Sequence, residues 1–293
     1  MNLAARGAIV NNIDTKTVAG FGDEWTSFDQ SALSPAELET VFAQYFAIFP
    51  WEALPSSAVG FDIGCGSGRW ARSVAPRVKH LHCIDPSPEA LRVAMQNLAS
   101  QDNCSFHIAS VDAIPLEDGT MDFGYALGVL HHIPDTAAGI RSCVTKLKPG
   151  APLLLYIYYA FDNRPLWFRT IWKGSDAIRR VISALPYRLQ YWTSFGIAAA
   201  IYWPLARSWR ILERLGANVD PLPLSYYRDR SFYFMRTDAR DRFGTSLEQR
   251  FTAGQIQKMM EAAGLERIRF SPDPPYWCAV GYKWDGAKGG GGS

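Results

Sequence analysis

Residues 59–70 read Val59-Gly60-Phe61-Asp62-Ile63-Gly64-Cys65-Gly66-Ser67-Gly68-Arg69-Trp70, and the fold turns on this stretch. An apolar run ends at Asp62, glycines follow at Gly64, Gly66 and Gly68, and a helix-forming segment at 69–74 takes over. Strand, glycine-rich turn and helix in that order suit a ligand held against the main chain. Glycine adopts positive φ and lets a ligand approach the backbone closely. The N–H groups that open the next helix supply free donors. Alone, the same spacing also fits a plain tight turn.

Outward from this point, residues 58–160 alternate strand and helix patterns. Strands are expected at 59–63, 81–85, 105–110, 121–127 and 152–158. Helices are expected at 88–98, capped by Ser87, and at 136–147, stopped by Pro149-Gly150. Such alternation builds a parallel sheet with right-handed crossovers. The run 152–158 is apolar enough for a buried central strand. Ligands in these sheets bind beyond the carboxyl ends of the strands, at the switch point. Asp85 ends the second strand about 20 residues past the glycine turn, where an acid can bind both ribose hydroxyls of a nucleoside. Asp112 follows the third strand at the same edge, where a carboxylate can accept from an exocyclic amine of adenine. Each acid alone reads as a solvated loop residue. Acids at three successive strand ends, beside the glycines, favour a nucleoside site.

Asp62-x-Gly64-x-Gly66-x-Gly68, Asp85, Ser110-Val-Asp112, Gly128-Val-Leu-His-His-Ile-Pro-Asp135 and Leu147-Lys-Pro-Gly150 together resemble the class I S-adenosylmethionine methyltransferases. The nearest type is the small-molecule group that includes ubiquinone and sugar methyltransferases. The resemblance covers 58–160 in motifs and 250–283 in topology. It implies an α/β fold: a Rossmann-like, doubly wound, mostly parallel seven-stranded sheet, with S-adenosyl-L-methionine as cofactor. Gly64, Gly66 and Gly68 would then admit the methionine part, with Asp62 ordering that loop and Cys65 within it. Asp85, next to Pro86, would hold the ribose. Asp112 would meet adenine N6 with Val111 against the ring, and Leu127 and Gly128 would line the site. Glycine at alternate positions, in place of the wider Gly-x-Gly-x-x-Gly turn, suits a nucleoside carrying no phosphate.

The implied reaction is in-line displacement at a sulfonium methyl carbon, helped by alignment and exclusion of water. A hydroxyl acceptor also needs a base. His131 and His132 are candidates because imidazole titrates near neutral pH. Being adjacent, they would point about 100° apart on a helix. A structural hydrogen bond is the alternative for either, and His132 is expected to be the more exposed. Tyr156, Tyr158 and Tyr159 leave the fifth strand at the pocket edge, Tyr158 being a further catalytic candidate. Their faces can attract the sulfonium or simply pack. The five histidines form no ligand pair at i, i+4 with a partnering acid, so no metal site is expected.

The flanks carry the remaining signals. Residues 1–20 read as an irregular arm. If 21–28 is helical, Trp25 and Phe28 share a face, and with Phe21 this segment either packs or closes over the ligand. Ser34-Pro35-Ala36-Glu37 opens a helix expected over 35–49, with Val41, Tyr45, Phe46 and Phe49 inward. Residues 164–215 hold nine basic residues against two acids, and five tryptophans. They read as a helical cap with breaks at Pro186 and Pro204. Its basic face is a solvated surface, a wall for an anionic acceptor or a membrane-surface patch. Candidate acceptor contacts are Phe21, Trp25, Tyr156, Arg179, Arg180 and Arg242. The apolar run 195–206 is shorter than the about 20 residues that span a bilayer. Residues 231–235 look strand-like. Thr252-Ala-Gly-Gln255 is a capping box opening a helix that Gly264 ends, and strands follow at 267–271 and 277–282.

The expected division is an arm and lid helix at 1–50, a cofactor-binding core at 51–163, the cap at 164–245, closing elements of the core at 246–285, and an appended linker at 286–293. Of 293 residues 48% are hydrophobic and 20% charged, with a net charge of +2, which allows a sizeable core and gives no pull toward nucleic acid. Five cysteines without a Cys-x-x-Cys read as reduced thiols of a cytoplasmic protein. Residues 1–10 carry no secretory signal. The expected function is methyl transfer to oxygen or nitrogen of a small, partly anionic metabolite. The alternatives are carbon methylation of a quinone or lipid at a membrane surface, and a cofactor-binding module without turnover. The oligomeric state is not legible.

Overall fold

The structure, a computed structural model, describes residues 12–27, with side chains to residue 22, and residues 34–286. The strands β1 (Val59–Ile63), β2 (His80–Asp85), β3 (Cys104–Ile108), β4 (Phe123–Leu127), β5 (Pro152–Tyr156), β6 (Leu265–Phe270) and β7 (Cys278–Lys283) form one sheet in the order β3-β2-β1-β4-β5-β7-β6. The first five pair in parallel, and β7 runs antiparallel to β5 and β6. Strand order reverses at β1, which lies between β2 and β4, so the crevice that binds ligands in such sheets opens beside the glycine turn.

Between the strands lie α3 (Ala71–Val74), α4 (Pro88–Asn97) and α5 (Thr136–Lys146). They follow α1 (Thr15–Ser27) and α2 (Pro35–Tyr45). Past β5 come α6 (Leu166–Ile182), α7 (Tyr187–Ile197), α8 (Trp203–Arg214), α9 (Phe232–Gly244) and α10 (Ala253–Ala262). A π turn at Ala198–Tyr202 joins α7 to α8.

Strand side chains alternate between two cores. Leu81, Cys83, Phe123, Tyr125 and Leu154 face one core, packed by Phe42 of α2 and by α3 and α4. Phe61, Ile84, Ala126, Leu153 and Leu155 face the other, packed by Ile140 of α5 and Ile256 of α10. A third core, built from Ile182, Ala198, Tyr202, Ala206, Met235, Ala239 and Phe243, holds the helices that follow β5 together. The five cysteines are unpaired thiols, four of them buried. No helix among the described residues is long and apolar enough to cross a membrane.

Three local expectations need correction. Residues 15–20 are the first turns of α1, not an irregular arm. The helix at Pro35 ends at Tyr45, and Phe46 and Phe49 reach the core from the turn beyond it. The segment 231–235 is helical: Ser231 caps α9, its side chain accepting from the Phe234 N–H at 3.1 Å. Trp25 sits in α1, but its side chain, like the whole of Phe28, lies outside the described residues.

Candidate active site

A cavity of about 1670 Å³ opens at the carboxyl ends of β1, β2, β4 and β5, walled by α1 and by the helices after β5. Gly64, Gly66 and Gly68 all have positive φ, at 69°, 54° and 75°. A Cβ at Gly64 would lie 2.4 Å from a Val129 methyl group, and one at Gly68 would lie 3.0 Å from Leu98. These two glycines therefore press the loop onto the β4 exit and α4. The open position is Gly128, with φ of 82°, where a Cβ would meet only Tyr156 at 4.0 Å.

Asp85 accepts from the Gly66 N–H on Oδ2 and the Ser87 N–H on Oδ1, each at 2.9 Å. A carboxylate has about four acceptor sites, so both oxygens keep capacity for hydroxyl donors. Burial pushes Asp85 up to about 6, against those two backbone bonds. Asp62 is fully enclosed, and neither carboxyl oxygen has a hydrogen-bond partner. Burial lifts it to about 8, opposed by the Tyr125 hydroxyl, which lies beside it but outside hydrogen-bond geometry.

Of the expected cofactor contacts, Gly64, Cys65, Asp85, Pro86, Val111, Leu127 and Gly128 line the cavity. Asp62, Gly66 and Gly68 stand behind that wall. Asp112 does not face it: its carboxylate is exposed and accepts from the Asn12 N–H at 3.2 Å and from the Ser110 hydroxyl. The residues leading into α1 occupy the acceptor that adenine was expected to use.

His131 and His132 lie on a 3₁₀ turn, Leu130–His132, and their ring centroids are 4.1 Å apart, so they do not diverge as on an α-helix. Both are buried, at 0% and 3% exposure, His132 being slightly the more open of the two. His132 Nδ1 is 2.7 Å from the Leu247 carbonyl. A carbonyl can only accept, so Nδ1 carries the proton and neutral His132 keeps its lone pair on Nε2. Nε2 lies 3.9 Å from Asp241 Oδ1 and has no hydrogen bond. The Tyr158 hydroxyl donates to the other Asp241 oxygen at 2.5 Å, and Phe21 sets its ring edge-on to His132 at 5.2 Å. His131 is engaged elsewhere: its Nδ1 accepts from the Tyr158 N–H at 3.3 Å, and its ring stacks on Tyr158 at 3.8 Å. Burial, then His132 and Arg250, hold the His131 pKa well below the imidazole range. His132 and Tyr158 line the cavity, as do Phe21, Tyr156, Tyr159, Asp241, Arg242 and Arg250.

The basic wall differs from the one expected. Arg179 is buried, with Nε on Asp176 at 2.8 Å and Nη1 on the Thr245 carbonyl at 3.0 Å. Arg180 pairs with the same Asp176 at the exposed face of α6. Neither reaches the cavity; both secure α6, and Arg179 ties it to the end of α9. Arg242 does line the cavity, where it and Arg250 share the enclosed Glu248, at 2.5 and 2.8 Å. Burial raises the Glu248 pKa, but Arg250 and Arg242 outweigh it and bring it below the ordinary value. With Asp241 beside them, the two cations face two carboxylates, and Arg242 Nη2 has no hydrogen-bond partner.

Asp241, Glu248 and Arg250 escape a reading of the sequence alone. Taken as an acid between two arginines, Asp241 looks like a local ion pair, yet Arg240 bonds Gln190 and Arg242 bonds Glu248. The available signal is helical spacing: Asp238, Asp241 and Arg242 stand at i, i+3 and i+4, one face of α9.

A methyltransferase-domain family matches residues 61–155. The chain is 28% identical over 188 residues to a ubiquinone biosynthesis O-methyltransferase of Xanthomonas axonopodis pv. citri, covering 62% of this chain and 74% of the relative. It is 31% identical over 153 residues to the Xanthomonas campestris pv. campestris protein of the same name, covering 52% and 59%. The chain thus spans about three-fifths of that relative's length. Among solved structures, a chain from the complex of the Haloferax volcanii Trm112 methyltransferase activator with a methyltransferase superposes with a TM-score of 0.51 at 13% identity, covering 90% of this chain and 97% of that one, a likeness of fold.

The crevice at the β1 switch point, the glycine turn and these matches define the class: a Rossmann-like methyltransferase that uses S-adenosyl-L-methionine. Within it, residues 61–155 match the methyltransferase-domain family, and the longer of the two sequence likenesses, over 188 residues, is to a ubiquinone biosynthesis O-methyltransferase. The residues present fit that cofactor, since Asp85 keeps acceptor capacity for ribose hydroxyls and the open face of Gly128 leaves room at the crevice.

Proposed function

We propose that this enzyme methylates a hydroxyl oxygen of a small acceptor that carries an anionic group. The observation that carries the proposal is His132, whose Nδ1 is committed to the Leu247 carbonyl and whose Nε2, without a hydrogen bond, stands beside Asp241. The relatives' names, O-methyltransferases, favour oxygen over nitrogen. Ligand pockets run to about 1,000 Å³, so a cavity of about 1670 Å³ has room for a nucleoside cofactor and an acceptor together.

The cofactor supplies an electrophilic methyl carbon on a sulfonium. Asp241, a quarter exposed, meets the acceptor hydroxyl first and accepts its hydrogen bond. As the oxygen attacks, its proton passes to Asp241 and on to His132 Nε2, and Asp241, again a carboxylate, then faces an imidazolium. Tyr158 holds the second oxygen of Asp241, which orients the pair. Arg242, whose Nη2 is without a hydrogen-bond partner, takes the anionic group of the acceptor. Tyr156 and Tyr158 offer ring faces to the developing transfer, and Phe21 keeps water from His132.

A panel of phenols and aliphatic alcohols, each with and without a carboxylate, tests this by release of demethylated cofactor. Carboxylated hydroxyl compounds are expected to turn over best. His132→Gln should lower kcat by about 10²- to 10⁴-fold, the usual weight of a general base, with cofactor affinity intact. Turnover within twofold of the parent in that variant would overturn the assignment.

A further inference from the structure

Asp238, Arg69 and Arg230 line the same cavity on the side of the glycine turn and have no part in the chemistry above. Arg69 directly follows Gly68 and lies over the Trp70 ring at 4.2 Å. Trp70 contacts Tyr45 at 4.5 Å. Next to Tyr45, Gln44 accepts from Arg230 Nη2 at 2.6 Å and from the Tyr226 hydroxyl at 3.4 Å. Arg230, buried at 7% exposure, also lies over Tyr226 and Phe234. Asp238, on α9, receives the Tyr227 hydroxyl on Oδ2 at 2.9 Å, which leaves Oδ1 open. One polar cluster thus joins α2, the glycine turn and the helices after β5.

The charges in this cluster are not neutralised. Among the described residues neither Arg69 nor Arg230 has a carboxylate within ion-pair distance. A guanidinium has five donors, and a buried cation without an anion is costly. Burial pushes Asp238 up to about 7, with Arg69 the strongest influence against that rise, so these two charges lie close without pairing. Two cations and a carboxylate that line one part of the cavity without forming an ion pair match a ligand that bears both signs.

We infer that Arg69 and Arg230 take the carboxylate, and Asp238 the ammonium, of the amino-acid end of the cofactor. This rests on the chain's use of S-adenosylmethionine, whose headpiece is an α-amino acid. It follows that the helices after β5 bind cofactor as well as acceptor, so their docking is coupled to cofactor entry.

Calorimetry of the full chain with two ligands tests the assignment. S-adenosylhomocysteine carries the amino-acid end; methylthioadenosine has the nucleoside and lacks it. The parent should bind the first at least tenfold more tightly. Arg230→Gln and Asp238→Asn should each weaken S-adenosylhomocysteine about tenfold or more and leave methylthioadenosine within twofold, while Arg230→Lys retains most of the affinity. Arg69→Gln, at a half-buried site, gives the same readout should a change at buried Arg230 unfold the chain. Equal loss for both ligands, or no loss for either, overturns the assignment. Asp85→Ala is the contrast and should weaken both. A parent chain that binds neither ligand overturns the cofactor assignment itself, and the subsite falls with it.

Discussion

Gly64 concentrates the demands of the site in one missing methyl group. Its φ of 69° lies in the left-handed region, and a Cβ there would stand 2.4 Å from one Val129 methyl group and 2.6 Å from the other. The left-handed conformation costs about 1–2 kcal/mol for a residue with a Cβ, and overpacking adds about 1–3 kcal/mol. Gly64→Ala should therefore destabilise the chain by at least about 2 kcal/mol in urea unfolding. Val129→Ala placed on top should return the steric part and leave the conformational part. Full recovery in the double variant would show that φ carries no cost. His132 gives the converse case, a side chain whose chemistry is set by one backbone carbonyl far along the chain. The Leu247 carbonyl decides which nitrogen is free, and nothing near residue 132 in the sequence announces it.

At the scale of elements, α9 supplies the charged residues that the helices after β5 bring to the cavity, namely Asp238, Asp241 and Arg242. Its start depends on Ser231. Replacing an N-cap serine by alanine costs about 1 kcal/mol, which in a chain of this size lowers the melting temperature by about 2 °C. Ser231→Ala should show that shift, raise the KM for acceptor and leave methylthioadenosine binding unchanged. An unchanged acceptor KM would mean that α9 does not need its cap to present Asp241. This same helix is where the sequence misleads. Residues 231–235 run Ser-Phe-Tyr-Phe-Met, an aromatic cluster of strand propensity, and packing against the third core overrides it. By contrast β1, β2, β4 and β5 are legible because glycine placement, acids at strand ends and apolar runs agree with one another. The cofactor side of the crevice is legible for the same local reason. The acceptor side is not, because it is assembled across long sequence separations: Asn12 reaches Asp112, Tyr158 reaches Asp241, and Arg179 turns inward to Asp176 and Thr245.

Across the whole molecule, buried carboxyls and buried imidazoles pull stability in opposite directions along the pH axis. Burial lifts Asp62 to about 8, Asp238 to about 7 and Asp85 to about 6, from an ordinary value of 3.8. Each folded pKa is raised, so each contribution is complete below the ordinary value of 3.8 and is lost as pH climbs from there through the folded value, by about pH 6 for Asp85, 7 for Asp238 and 8 for Asp62. The histidines have the other sign. His82, on β2, meets His107, on β3, ring nitrogen to ring nitrogen at 3.1 Å, and burial with neighbouring histidines lowers His82 to about 4 from 6.5. His107 and His131 are lowered as well. Their contribution is present above pH 6.5 and lost as pH falls toward 4. Below about pH 6.5 the two sets oppose each other, and above it only the carboxyls still titrate, so the melting temperature of the ligand-free chain should fall between about pH 6.5 and 8, read by thermal unfolding from pH 5 to 9. Asp62→Asn should flatten the fall above pH 6.5, and His82→Gln should change the profile only below pH 6.5. A melting temperature that rises steadily from pH 6.5 to 8.5 would contradict the assignment of buried, neutral carboxyls. Cofactor affinity should follow a different course. The form of Asp85 that accepts two ribose hydroxyls is the carboxylate, so binding should strengthen as pH rises through about 6 and hold above it, where the empty fold weakens. The pH of greatest apo stability then lies below the pH of tightest cofactor binding, and the added stabilisation by S-adenosylhomocysteine should grow between pH 5.5 and 7.5. A ligand-induced shift that stays constant over that range would mean that Asp85 is ionised throughout.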